Sequence, residues 1–276
     1  MTRPAPAQTA RLNGITLSYQ VTGDGPLVVM IMGTGSPGRV WHANQVPALV
    51  KAGFRVATFD NRGIAPSSEC AEGFSMGDMV ADTAALIEHL GGPALVVGTS
   101  LGARIAQELI LARPDLVTAG VMLGTYGRTT SLLTAFNKGE CELYDRGIVL
   151  PDDYHAALTA ELNLSPHTLA DDRGARDWLD IISFGGQRRS PGVRAQLGLE
   201  QREDDRLTAY RRIDRPCLVV GFADDRTLPV HLAQEVAEAI PGSEYVEIER
   251  AGHFGYLERP DEVNRVLVEF LGRHRG

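Results

Sequence analysis

Five residues, Gly98-Thr99-Ser100-Leu101-Gly102, constrain this chain more than any other feature. They follow the apolar run Ala94-Leu95-Val96-Val97, which reads as a strand buried on both faces. They open onto residues 101–112, where apolar side chains recur at helical spacing. Glycines two residues either side of a serine let strand and helix pass closely through a tight, strained turn, which pushes the serine side chain into the cleft. The start of the helix then aims unpaired N–H groups at any negative charge that develops there. So short a pattern matches by chance, but strand before and helix after make chance a poor explanation.

The rest of the chain keeps the same rhythm. Runs at 15–21, 27–32, 55–59, 94–97, 119–123, 217–221 and 244–248 predict strands, and amphipathic stretches at 40–52, 76–90, 101–112, 232–240 and 261–271 predict helices. Alternation of this kind implies a doubly wound, mostly parallel sheet with ligands beyond the carboxyl ends of its strands. The first ten residues, rich in proline and alanine, read as a loose arm. Residues 127–212 carry helical patches without a buried strand, and so long a structureless loop is implausible in a compact domain. The expected organisation is a core made of 1–126 and 213–276, with a helical cap at 127–212.

A serine hydroxyl is a weak nucleophile without a base beside it. Of the seven histidines, His253 follows the last strand and precedes the C-terminal helix, which puts it at the same sheet edge as Ser100. His42 is the rival, beside the loop after the second strand run. His155, His167, His231 and His274 read as structural or surface residues. A base of this kind needs a carboxylate to orient it. Asp224 and Asp225 both follow the run at 217–221. Counting from Gly221 favours Asp224; the D-x-x-x-P spacing to Pro229 favours Asp225, which is preferred here with Asp224 as the alternative.

Composition excludes other chemistries. With 27 basic and 35 acidic residues, the net charge of −8 opposes nucleic acid or an anionic membrane as the main partner. Cys70, Cys141 and Cys217 lack metal-ligand or redox spacing, and Cys217 reads as a buried, inert thiol. The glycine-rich residues 33–38 lack the Lys-Ser/Thr of a phosphate loop. No cofactor or metal is expected. The N-terminus has no signal-peptide apolar core, and the expected location is cytoplasmic.

The order Ser100, Asp225, His253, with the serine at a glycine-flanked elbow, resembles the α/β-hydrolase fold family. Within it the chain is most similar to the cap-bearing branch of serine esterases and cofactor-free haloperoxidases. The resemblance implies a mostly parallel eight-stranded sheet flanked by helices. It implies that backbone N–H groups form an oxyanion hole: that of Leu101, and that of Thr34, with Gly35 the alternative, in Met32-Gly33-Thr34-Gly35, where the family usually has histidine before the glycine. Asp60-Asn61-Arg62-Gly63-Ile64-Ala65-Pro66-Ser67 is similar to a family loop read here as structural support. The implied activity is cleavage of an ester, thioester or related acyl bond of a medium-sized, largely apolar small molecule. Acyl transfer, perhydrolysis, C–C hydrolysis or acyl elimination with the same residues stay open, as do a non-catalytic binding role and self-association. Trp178, Leu179, Ile181, Ile182 and Phe184 are the expected apolar lining from the cap; Trp178, Ile182 and Phe184 are the leading candidates.

Overall fold

The computed structural model describes residues 6–187, 189–199 and 205–275. It opens with a hairpin: Gln8–Leu12 (β1) pairs antiparallel with Ile15–Thr22 (β2) across Asn13 and Gly14, at φ 46° and 77°. From Gln8 onward the expected loose arm is therefore an edge strand, while residues 1–5 of that arm lie outside the described residues. Asn-Gly is the turn that a two-residue hairpin with two positive φ values demands. It is the signal that β1, short and largely exposed, did not supply.

Leu27–Ile31 (β3), Arg55–Phe59 (β4), Ala94–Thr99 (β5), Val117–Leu123 (β6), Cys217–Phe222 (β7) and Glu244–Ile248 (β8) complete one sheet. Its order is β1-β2-β4-β3-β5-β6-β7-β8, parallel from β4 through β8 and antiparallel at the β1-β2-β4 edge. Every residue of β3, β5 and β7 is buried, so these runs show no alternation. The two faces nevertheless divide by period two: Val29 and Ile31 join one core cluster, Val28 and Met30 the other.

Three helices precede β6: Gln45–Lys51 (α1), Met76–His89 (α2) and Leu101–Ala112 (α3). The expected helix at 40–52 is broken into a 3₁₀ turn, Gly38–Ala43, and α1. Pro47 explains the break, because its ring would meet the Ala43 carbonyl in a continuous helix, whereas the first turn of a new helix accepts proline. α2 starts at a capping box in which Ser75 and Asp78 exchange hydrogen bonds.

Between β6 and β7 the described chain is helical: Ser131–Asp145 (α4), Asp152–Asn163 (α5), Pro166–Leu169 (α6), Asp172–Gly185 (α7), Pro191–Leu199 (α8) and Leu207–Tyr210 (α9). The Arg206 N–H donates to the Gly127 carbonyl and ties the two ends of this excursion together. His231–Ala239 (α10), Gly255–Glu258 (α11) and Pro260–Arg273 (α12) follow. Residues of α2, α3 and α10 share one core cluster; those of α1 and α12 share the other. The carboxyl ends of β3, β5, β6, β7 and β8 consequently open on one edge, where Gly33, Ser100, Gly124, Asp225 and His253 follow their strands. Such an edge is where open α/β sheets place their ligands.

Candidate active site

Ser100 joins β5 to α3 at φ 54° and ψ −122°, a strained conformation for a side chain with a Cβ. Its N–H donates to the Leu123 carbonyl at 3.0 Å, which fastens the turn to β6. The flanking glycines are required by close approach. A Cβ on Gly98 would fall against the Gly102 carbonyl, and one on Gly102 against the Ile31 carbonyl at the end of β3. Leu101, the first residue of α3, has no carbonyl one turn earlier in the helix to receive its N–H, so that donor is oriented by the elbow alone.

The loop after β3 presses on the serine: a Cβ on Gly33 would lie 3.1 Å from that of Ser100. Thr34 and Ser100 line one cavity. Of the two residues considered for the second N–H, Gly35 gives its own to the Gln196 side chain of α8 at 2.8 Å, which leaves Thr34 as the better placed. Gln196 is fully buried, and its amide also donates to the Arg62 carbonyl at 2.8 Å. Asn61 donates to the Met32 carbonyl at 2.9 Å. Arg62 clasps Asp82 through two bonds of 2.5 and 2.7 Å, and Asp60 accepts the Gly38 N–H. Burial pushes the Asp60 carboxyl above its usual range. Residues 60–67 thus act as a brace beneath the loop that carries Thr34.

His253 is buried, and its Nδ1 lies 2.7 Å from Asp225 Oδ2. The other oxygen of Asp225 accepts the Leu228 N–H at 2.7 Å, a turn immediately before Pro229. Asp224 points elsewhere and accepts a hydrogen bond of 2.5 Å from Ser165. Between the two aspartates, the structure brings Asp225 to the histidine. The rival His42 sits away from this cavity, bonded to Thr58, and burial holds it below the usual imidazole range.

Ser100 and His253 both face a cavity of about 330 Å³. One wall is the core edge; the other comes from α4, α5 and α8, through Leu133, Asn137 and Glu140, Leu158 and Leu162, and Leu197. Trp178, Ile182 and Phe184 do not line it, and neither do Leu179 and Ile181. α7 packs against α5 and α6, buries none of its residues, and leaves Phe184 97% exposed. The expectation failed because an amphipathic pattern shows that a face is apolar, not which neighbour that face meets. His155, read as a structural or surface residue, lines the cavity.

Glu258 was not legible in the sequence. It accepts the Gly252 N–H at 2.7 Å, beside His253, and bonds to Ser165 and Thr168 at the α5–α6 junction. It carries no motif, and only the position five residues after the histidine links it to the site. Among the described residues, no group of three or more His, Cys, Asp or Glu could hold a metal ion, and no helix is long and apolar enough to cross a membrane. Burial pushes the Cys217 thiol up to about 12, as suits an inert core cysteine.

An eight-stranded doubly wound sheet, with a strained serine at a strand–helix elbow and a His–carboxylate pair across the same edge, defines the α/β-hydrolase fold. The chain belongs to the alpha/beta hydrolase family, which residues 28–266 match. It is 48% identical over 258 residues to the putative non-heme bromoperoxidase BpoC of Mycobacterium tuberculosis, covering 93% of this chain and 98% of that protein. The crystal structure of BpoC from strain H37Rv superposes with a TM-score of 0.90 at 47% identity, over 94% of this chain and 97% of that one. The pyrrolizixenacetamide deacetylase of Xenorhabdus hominickii is 28% identical over 261 residues, 92% of this chain and 94% of that protein.

Proposed function

We propose that this protein is a serine hydrolase that cleaves an ester or related acyl bond of a small, largely apolar molecule. The observation that carries the reading is the 2.7 Å contact between His253 Nδ1 and Asp225, with His253 and Ser100 facing one cavity. Asp225 holds the imidazole so that Nε2 takes the Ser100 proton as Oγ attacks the acyl carbon. The N–H groups of Leu101 and Thr34 stabilise the oxyanion, and because they are backbone donors they need no rearrangement as charge develops. The imidazolium returns its proton to the leaving group, giving an acyl-enzyme. Water, deprotonated by the same histidine, attacks that acyl carbon and releases a carboxylic acid with Ser100 restored.

In this reading residues 127–212 act as a cap that shapes the cavity, while 1–126 and 213–276 supply the chemistry. Similarity to a protein named a putative non-heme bromoperoxidase favours one variation. Hydrogen peroxide in place of water would leave the acyl-enzyme as a peracid, which can oxidise bromide. The test is turnover of p-nitrophenyl esters of increasing acyl length, with and without peroxide, beside labelling by a fluorophosphonate. Ser100→Ala should lose about 10³-fold or more in kcat and all labelling. A folded Ser100→Ala protein that keeps a tenth of the activity would overturn the assignment.

A further inference from the structure

The catalytic cavity has a polar end that the proposed mechanism does not use. Glu140 on α4 and His155 on α5 face it, with Asn137 and Thr159 one turn away on the same two helices and Leu150, Leu158 and Leu197 among them. A smaller cavity of about 70 Å³ lies beyond, lined by residues that include Gln187, Arg189 and Arg194. Glu140, Leu150, His155 and Leu197 belong to both linings, whereas Ser100 and His253 belong only to the inner one. Those four residues therefore form the partition between the two cavities, and the outer one is not lined by the serine or the histidine. Glu140 is half-buried there. Its carboxylate makes no hydrogen bond or ion pair with any described residue. His155 and Arg189 act on it only as charges at a distance. Arg226, the arginine of the inner lining, is already committed to Glu161.

We infer that Glu140 is a specificity-determining residue, which accepts a hydrogen bond from a donor group, an ammonium above all, at the end of the substrate remote from the scissile acyl bond. This rests on the serine-hydrolase reading only for which end of the ligand reacts. The physical reason is desolvation. A half-buried carboxylate that no described residue hydrogen-bonds is partly desolvated at a cost, and a ligand that brings a donor or a positive charge offsets it. Burial does push the Glu140 carboxyl above its usual range, with His155 and Arg189 opposing that shift. A neutral alkyl chain of the same length would fill the apolar part equally well and leave the carboxylate unsatisfied.

The experiment compares p-nitrophenyl esters in matched pairs, the acyl chain ending either in an ammonium or in a methyl group, over chains from butyl to octyl length. At the best length, wild type should favour the ammonium ester in kcat/KM by about tenfold or more, the scale of one charge-assisted hydrogen bond. Glu140→Gln, nearly isosteric, should bring that ratio close to one, and Glu140→Leu should reverse it. Binding of the same pairs to Ser100→Ala, by calorimetry, should show the same preference without turnover. The proposal is overturned if wild type shows no preference at any length, or if the ratio survives in both variants. Absence of ester turnover in wild type, with the binding preference intact, would instead strike the serine mechanism and support Glu140.

Discussion

The elbow at Ser100 and the helices between β6 and β7 wall the same cavity with different shares of backbone and side-chain contact. At the elbow, three backbones meet so closely that Gly98 and Gly102 have no room for a methyl group. Across the cavity, α4 to α9 touch the core backbone where Gly192 meets Gly63 and where Asn163 meets Gly252 and the Phe254 N–H. They are otherwise joined to it by separate side-chain contacts: Gln196 to Gly35 and Arg62, Ser165 to Asp224, Arg206 to Glu108. Backbone contact fixes atoms to fractions of an ångström and tolerates almost no substitution; side-chain contacts can be exchanged one at a time. A chain built this way can keep its reacting groups while the opposite wall changes shape. Two adjacent aspartates divide along the same line, Asp225 serving His253 and Asp224 serving the helices.

That division is broken most directly at the aspartates. Asp225→Asn should lower kcat by about 10³–10⁴-fold, since an amide cannot hold the imidazole tautomer that takes the serine proton. Asp224→Asn should cost no more than about tenfold, through loosened α5–α6 packing, because only a hydrogen bond to Ser165 is altered. Steady-state ester kinetics on both variants decide this, and a dead Asp224→Asn would place the orienting acid one residue earlier.

Glycines on the two sides sharpen the comparison in stability. Gly102→Ala drives a Cβ into the Ile31 backbone and should destabilise by at least about 2 kcal/mol, an overpacking cost with no flexible neighbour to yield. Gly139→Ala, inside α4 with nothing within 4 Å of its Cβ, should stabilise by about 0.5–1 kcal/mol. Urea titration of both variants reads the difference in sign. Gln196→Leu lies on the seam between the two regions. It leaves the buried Gly35 N–H and Arg62 carbonyl without that amide, which should cost about 1–3 kcal/mol. Because the same loop carries Thr34, kcat should also fall, while KM for a short ester changes less. A Gln196→Leu variant that loses stability but keeps full kcat would detach α8 from the proposed role of the Thr34 loop.

What the sequence revealed follows the same boundary. Strands buried on both faces, β3, β5 and β7, announce themselves as unbroken apolar runs, and β4 and the less buried β8 fall on the residues expected. The elbow is legible because its glycines answer a backbone requirement. Asp225 is legible because its second oxygen caps the turn that ends at Pro229. The helical wall is not legible in this way. Its helices can be found by periodicity, but which faces meet the cavity depends on how they cross one another. Leu158 and Leu162 on α5 face inward, and nothing in their spacing separates them from Ile181 and Phe184 on α7. β1 escaped for a related reason, since an edge strand with most of its side chains in solvent has little apolar pattern to show.

The smallest expected effect tests that last distinction. Phe184 is almost fully exposed on α7, Leu158 lines the cavity, and both are large apolar side chains on helices of the same segment. If wall position rather than apolarity decides substrate choice, Phe184→Ser should leave the order of preference among acyl chain lengths unchanged, with kcat/KM within about twofold and stability within about 0.5 kcal/mol, as for surface sites generally. Leu158→Ala opens the cavity by roughly three methyl groups, and should shift the preferred chain by one or two carbons toward longer acyl groups. Each carbon so accommodated is worth about 0.8 kcal/mol, or roughly fourfold in kcat/KM, which a ladder of p-nitrophenyl esters resolves. A preference that moves with Phe184→Ser and not with Leu158→Ala would mean that α7 swings over the cavity during turnover, and that the wall described from α4, α5 and α8 is only one of its arrangements.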